Sequence, residues 1–96
     1  MTWNAVESIV FSNISATPAT FPLRGGNYAV TIVGTWGGGS ATLQRLAADG
    51  STFVTVVAPF TANTFVDLNL PNGTYRLLIV TATAVYCDIT STVISL

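Results

Sequence analysis

The sequence contains no histidine and no lysine, and a single cysteine, Cys87. Without histidine the usual general base and the commonest metal ligand are missing. Without lysine there is no Schiff-base chemistry and no Walker-type phosphate site. One cysteine cannot form an internal disulfide. Cys87 sits in an alternating strand pattern, which predicts a buried, inert thiol. Charge is scarce as well. Arg24, Arg45, Arg76, Glu7, Asp49, Asp67 and Asp88 are all the charged side chains of 96 residues, 7% of the chain, against about 25% in an average soluble domain. The net charge of -1 points to neither nucleic acid nor an anionic membrane surface. Long apolar runs are missing too. The longest aliphatic run, Leu77-Leu78-Ile79-Val80, is far short of the roughly 20 residues of a membrane-spanning helix. The start of the chain has no basic residues, and Ser8 to Phe11 is too short for a signal-peptide core, so manufacture and use without Sec-type export is expected.

The remaining polar groups form no chemical constellation. A glycosidase needs two carboxylates across a cleft, and Asp67 and Asp88 are the pair that could meet across strands. Asp49-Gly50-Ser51 has the glycine of a calcium loop but not its ligands, and reads better as a hairpin turn. Asp67-Leu68-Asn69 puts two oxygen ligands on one face. Gly37-Gly38-Gly39 follows Trp36, precedes a strand and is followed by no lysine, so it reads as a hairpin connection and not as a phosphate loop. Asn13-Ile14-Ser15 and Asn72-Gly73-Thr74 match the glycosylation acceptor pattern, which carries no weight without a secretion signal. No enzyme activity, no metal, no cofactor and no small-molecule substrate are expected.

What the sequence does have is β pattern. Val, Ile, Thr, Phe and Tyr are abundant and the apolar period is two in most segments. Strands are expected over Val6–Ser12, Phe21–Leu23, Tyr28–Thr35, Ala41–Leu46, Thr52–Ala58, Phe65–Leu70, Thr74–Thr81 and Val85–Ile94. Pro18 and Pro22 confine the second to a short edge strand. Asp49-Gly50 and Pro71-Asn72-Gly73 are turn signals, and Pro59 ends a strand. Seven or eight strands at this spacing predict one all-β domain, a single antiparallel β-sandwich of jelly-roll or immunoglobulin-like topology, with a small closed barrel second. The sandwich is expected over 23–96, and 1–22 as an N-terminal arm or edge segment that packs on a neighbour.

Several strands are apolar on both faces. Val33 opposes Ile32, Val54 and Val56 oppose Phe53, and Leu78 and Val80 oppose Leu77 and Ile79. A free sandwich keeps its outer face polar. A folded chain of this mass exposes on the order of 5,200 Å², and seven charges leave most of that unprotected. One reading is a partner-covered surface; the other is a soluble domain with a Thr/Ser-rich face, where β-propensity alone placed the valines. The partner reading selects Trp3, Phe11, Phe21, Arg24, Trp36, Val54, Val56, Arg76 and Leu78 as interface candidates. Trp3 and Trp36 read as caps on the core, as partner anchors, or as sugar platforms.

Four stretches carry a family resemblance: Leu23-Arg24-Gly25-Gly26-Asn27-Tyr28, Gly34-Thr35-Trp36-Gly37-Gly38, Leu43-Gln44-Arg45-Leu46 with Asp49-Gly50, and Leu70-Pro71-Asn72-Gly73-Thr74-Tyr75-Arg76. Over Leu23 to Ile79 the chain resembles the small β-sandwich head decoration or cement proteins of tailed bacteriophages and prophages. The resemblance implies a structural virion protein, made in the host cytoplasm. It implies a homotrimer on the outside of the capsid that clamps the major capsid protein and stabilises the assembled head. The alternative is a carbohydrate- or receptor-binding module of a phage fibre or surface protein.

Overall fold

The computed structural model describes residues 8–92. Within them the chain forms eight strands and no helix: β1 (Ser8–Ile14), β2 (Phe21–Leu23), β3 (Gly26–Thr35), β4 (Ser40–Leu46), β5 (Phe53–Thr55), β6 (Thr64–Leu70), β7 (Gly73–Val80) and β8 (Thr83–Ser91). They make two four-stranded sheets, β1-β8-β3-β6 and β2-β7-β4-β5. Every pairing is antiparallel. The pairs β4·β5, β3·β6, β2·β7 and β1·β8 are nested like the rungs of one long hairpin. Two further pairings, β3·β8 and β4·β7, close that hairpin over itself into two sheets. This is the jelly-roll order, so the protein is an eight-stranded β-sandwich of that type.

The alternating pattern decides what lies between the sheets. Tyr28, Val30 and Ile32 of β3 meet Val85, Cys87 and Ile89 of β8 on the inner face of the first sheet, and all are buried. From the second sheet come Ala41 and Leu43 of β4 and Tyr75, Leu77 and Ile79 of β7, equally buried. Leu23, Leu70 and Phe60 extend this core, and Phe11 and Trp36 pack against it.

Three expected elements differ. The strand expected over Thr52–Ala58 is reduced to Phe53–Thr55. Val56 still donates to the Leu43 carbonyl at 3.1 Å, but the chain returns to β4 only at Phe60, which exchanges two hydrogen bonds with Ala41. Pro59 lies between these contacts and has no N–H to give a ladder. The first strand reaches Ile14 because a register shift after Phe11, with Asn13 at φ 55°, lets the pairing with β8 resume at Val85. The last strand ends at Ser91, and Val93 and Ile94 lie outside the described residues.

Of the two readings of 1–22, arm or edge segment, the described part follows the edge reading. Ser8–Ile14 and Phe21–Leu23 are edge strands, one in each sheet of their own sandwich. Between them Ser15 accepts from Ala84 N at 3.3 Å and Thr17 accepts from Ile79 N at 3.0 Å through their hydroxyls. This stretch therefore straps its own domain. Trp3 lies outside the described residues.

The two places where the chain crosses between sheets at this end share one motif. Leu23-Arg24-Gly25-Gly26-Asn27-Tyr28 joins β2 to β3, and Leu70-Pro71-Asn72-Gly73-Thr74-Tyr75 joins β6 to β7, each Leu-x-x-Gly-x-Tyr. The motifs are paired with each other: Leu23 faces Gly73, and Leu70 faces Gly26. Each buried tyrosine donates its hydroxyl to the carbonyl four residues earlier, Tyr28 to Arg24 and Tyr75 to Pro71. Gly26 has φ 149°, which disfavours a side chain. At Gly73 a Cβ would lie 2.8 Å from Arg45 Nε. Arg45 braces this turn by donating to the Asn72 carbonyl at 2.8 Å. A buried phenol needs its acceptor. Tyr28→Phe and Tyr75→Phe should therefore each lower the unfolding free energy by about 1 kcal/mol, by similar amounts, in urea titrations. A loss at one position and none at the other would show that the crossings are not equivalent.

Candidate functional site

The outer face of the first sheet is assembled by register. Val10 of β1 pairs with Asp88 of β8, Asp88 pairs with Thr31 of β3, and Thr31 pairs with Phe65 of β6. One row thus crosses all four strands. The neighbouring row brings Val33 against Tyr86. The period of two forces these side chains outward, because Ile9, Phe11, Ile32, Val66, Cys87 and Ile89 point inward on the same strands. The result is an apolar face open to water: Phe65 is 66% exposed, Val10 64%, Tyr86 48% and Val33 41%.

A shallow depression of about 200 Å³ lies in this face. Its walls are Val10, Ser12, Thr31, Val33, Tyr86 and Asp88, and Phe11 and Cys87 reach it from below. Asp88 is half-buried and accepts a long hydrogen bond from the Thr90 hydroxyl at 3.4 Å. The strands of this sheet carry two charged residues among the described ones, Asp67 and Asp88, both on the outer face. The three arginines lie elsewhere: Arg24 in the β2–β3 turn, Arg45 on β4 and Arg76 on β7.

The second sheet uses its polar groups internally. Arg76 donates from Nε to Gln44 Oε1 at 2.7 Å, and its guanidinium stacks 4.2 Å from the centre of the Phe53 ring. Leu78 is half-buried beside Thr42, and Val80 is exposed.

The interface candidates are scattered over the molecule. Val54 and Val56 are exposed at the β5 edge, and Arg24 is exposed in its turn. Arg76 and Leu78 are half-buried on the second sheet. Phe21 belongs to the core, at 6% exposure. Phe11 packs on it with ring centres 5.5 Å apart, so both aromatics serve their own domain. Trp36 is half-buried against the core, and its indole N–H donates to Asn63 Oδ1 at 3.0 Å. Asn63 also accepts from Gly34 N at 3.1 Å, so one amide pins the glycine-rich connection. Val33 was legible as a second-face residue; Val10 and Phe65 were missed as surface residues. Their signal was parity, since each stands out of phase with the buried residues of its strand.

Asp67 and Asp88 share a face but do not meet. β3 lies between them and they sit in different rows, about 12 Å apart by strand spacing and rise. That exceeds the separations of both retaining and inverting glycosidases. Asp49 caps its hairpin by accepting from Ser51 N, Thr52 N and the Thr52 hydroxyl. Those bonds lower its carboxyl pKa to about 2. Compared with known proteins, the chain matches no family model, and no curated protein or solved structure is significantly similar to it.

Burial, with a smaller contribution from the neighbouring Asp88, pushes the Cys87 thiol up to about 12. Because the native state holds this proton more tightly than the unfolded chain, stability contributed by Cys87 is complete below about pH 9 and falls as pH rises towards 12. Native protein should leave Cys87 unmodified by a thiol reagent at pH 8, with reaction only on unfolding. In denaturant titrations, Cys87→Ala should remove part of the alkaline loss of stability. Rapid labelling of folded protein would contradict the buried thiol.

Proposed function

We propose that this protein is a non-enzymatic structural component of a phage virion, a decoration or cement protein made in the host cytoplasm that binds the outside of the assembled head. The observation that carries this reading is the outer face of the first sheet. Four large apolar side chains stand open to water there, in a chain that has few charges with which to keep other protein away. Scattered exposed apolar residues are ordinary, but a contiguous set on one sheet face marks a surface made to be covered. The jelly roll is an architecture that viral capsid and lectin domains both use, so the fold agrees with this role without singling it out. The absence of histidine and lysine supports a binding role over a chemical one. The homotrimer and the choice of the major capsid protein as partner rest on the resemblance over Leu23 to Ile79.

The mechanism is linkage. A protein that binds the closed shell and not its dissociated subunits stabilises the shell by mass action. The carbohydrate-binding alternative gains no support from Trp36, whose ring packs on the core and whose N–H is already donated.

The test uses heads assembled from the major capsid protein that this reading assigns as the partner. Wild-type protein should co-sediment with assembled heads and not with free capsid subunits. Phe65→Asp should lower occupancy at least about tenfold, the effect of losing one large apolar anchor. Val80→Asp on the other sheet should leave it unchanged. Sedimentation of the free protein gives the oligomer, with a trimer expected. Absence of the protein from heads at all concentrations would overturn the reading.

A further inference from the structure

The depression at the middle of the first sheet is small. Sites for drug-sized ligands occupy about 300–1,000 Å³, and this one holds about 200 Å³. Its size suits one long side chain and not a free metabolite. Its lining is mixed, with Val10, Val33 and Tyr86 forming apolar walls and the half-buried Asp88 carboxylate among them. An apolar knob inserted there would strip water from Asp88 without replacing it, which is costly for a carboxylate. A cationic side chain resolves both demands. Its aliphatic stem lies along the valines, its head group meets the carboxylate, and the tyrosine ring offers a cation–π contact.

We infer that this depression is a socket for an arginine or lysine side chain of the protein that docks on the first sheet. The inference deepens the decoration reading, on which its choice of a capsid partner rests. The charge pattern of the face argues against the same face of a second copy as occupant. Its described charges are Asp67 and Asp88, so face-to-face pairing would bring carboxylates together with no counter-charge. The occupant assigned is thus not this face of a second copy but a different protein, with a basic side chain set among apolar ones.

The experiment has two arms. In the first, isotope-labelled protein is titrated with Nα-acetyl-arginine amide and, separately, with Nα-acetyl-norleucine amide. Saturable NMR shifts at Val10, Thr31, Tyr86 and Asp88 are expected for the arginine compound, in the millimolar range usual for a single side chain. Asp88→Asn should abolish them. In the second arm, Asp88→Asn should weaken head binding by about 30-fold or more, the cost of leaving a buried charge unpaired. Asp49→Asn, on the hairpin of the other sheet, should change it less than threefold. Val10→Trp, which fills the depression from an exposed edge position, is the second variant and should abolish binding in both arms while keeping the native spectrum. Shifts spread evenly over Asp49, Asp67 and Asp88, or heads that bind Asp88→Asn as well as wild type, overturn the socket. Self-association of the free protein that disappears in Asp88→Asn would also overturn it, by making a second copy the occupant. If the wild type ignores heads yet shows arginine shifts at the socket, the decoration reading fails and the socket stands.

Discussion

The interlocked pair of sheet crossings, Leu23 to Tyr28 and Leu70 to Tyr75, is the constraint from which the rest of the structure follows. A jelly roll needs its nested hairpin to bend from one sheet to the other in register. Here the two bends hold each other, through Leu23 against Gly73 and Leu70 against Gly26. Each is locked by a buried tyrosine that reaches back to its own turn. Arg45 closes the arrangement from the facing strand. With the crossings fixed, the parity of β3, β6 and β7 is fixed too, since a slip of one residue would turn every side chain to the other face. The outward positions of Val33, Phe65 and Asp67 are thus set by turns at one end of the sandwich.

The scarcity of charge takes on a more definite meaning once these positions are known. The arginines serve the second sheet and the turns. Arg76 is engaged by Gln44 and Phe53, and Arg45 by the Asn72 carbonyl. Among the described residues, the first sheet keeps two carboxylates and four exposed apolar side chains on its outer face. The two faces of the sandwich therefore differ in chemistry, and the carboxylates stand among exposed apolar side chains on the first sheet.

Much of the fold was legible because the alternation is regular where the strands are long. Tyr28, Val30 and Ile32, and likewise Tyr75, Leu77 and Ile79, fall on the core face as their spacing dictates. Phe21–Leu23 is confined to an edge by its proline. Strand order was not legible, since pairing over long sequence separations leaves no local trace. The Leu-x-x-Gly-x-Tyr repeat is visible in the sequence, but its meaning depends on the two copies being neighbours in space. The described aromatic candidates share one placement, against the core of their own sandwich. Phe11, Phe21 and Trp36 were candidates for partner contact, and a small sandwich spends such large side chains on closing its own core. Phe65, which does face water, begins a strand beside a polar turn, where a single sequence does not distinguish a capping side chain from an exposed one.

On the proposed decoration reading, the first sheet, and not the second, is covered on the assembled head. Hydroxyl-radical footprinting of the protein on assembled heads, compared with the free protein, tests it side chain by side chain. Protection of Phe65 and Tyr86 is expected, with Phe53 and Val80 unchanged. Protection of Phe53 and Val80 with Phe65 and Tyr86 still reactive would contradict it.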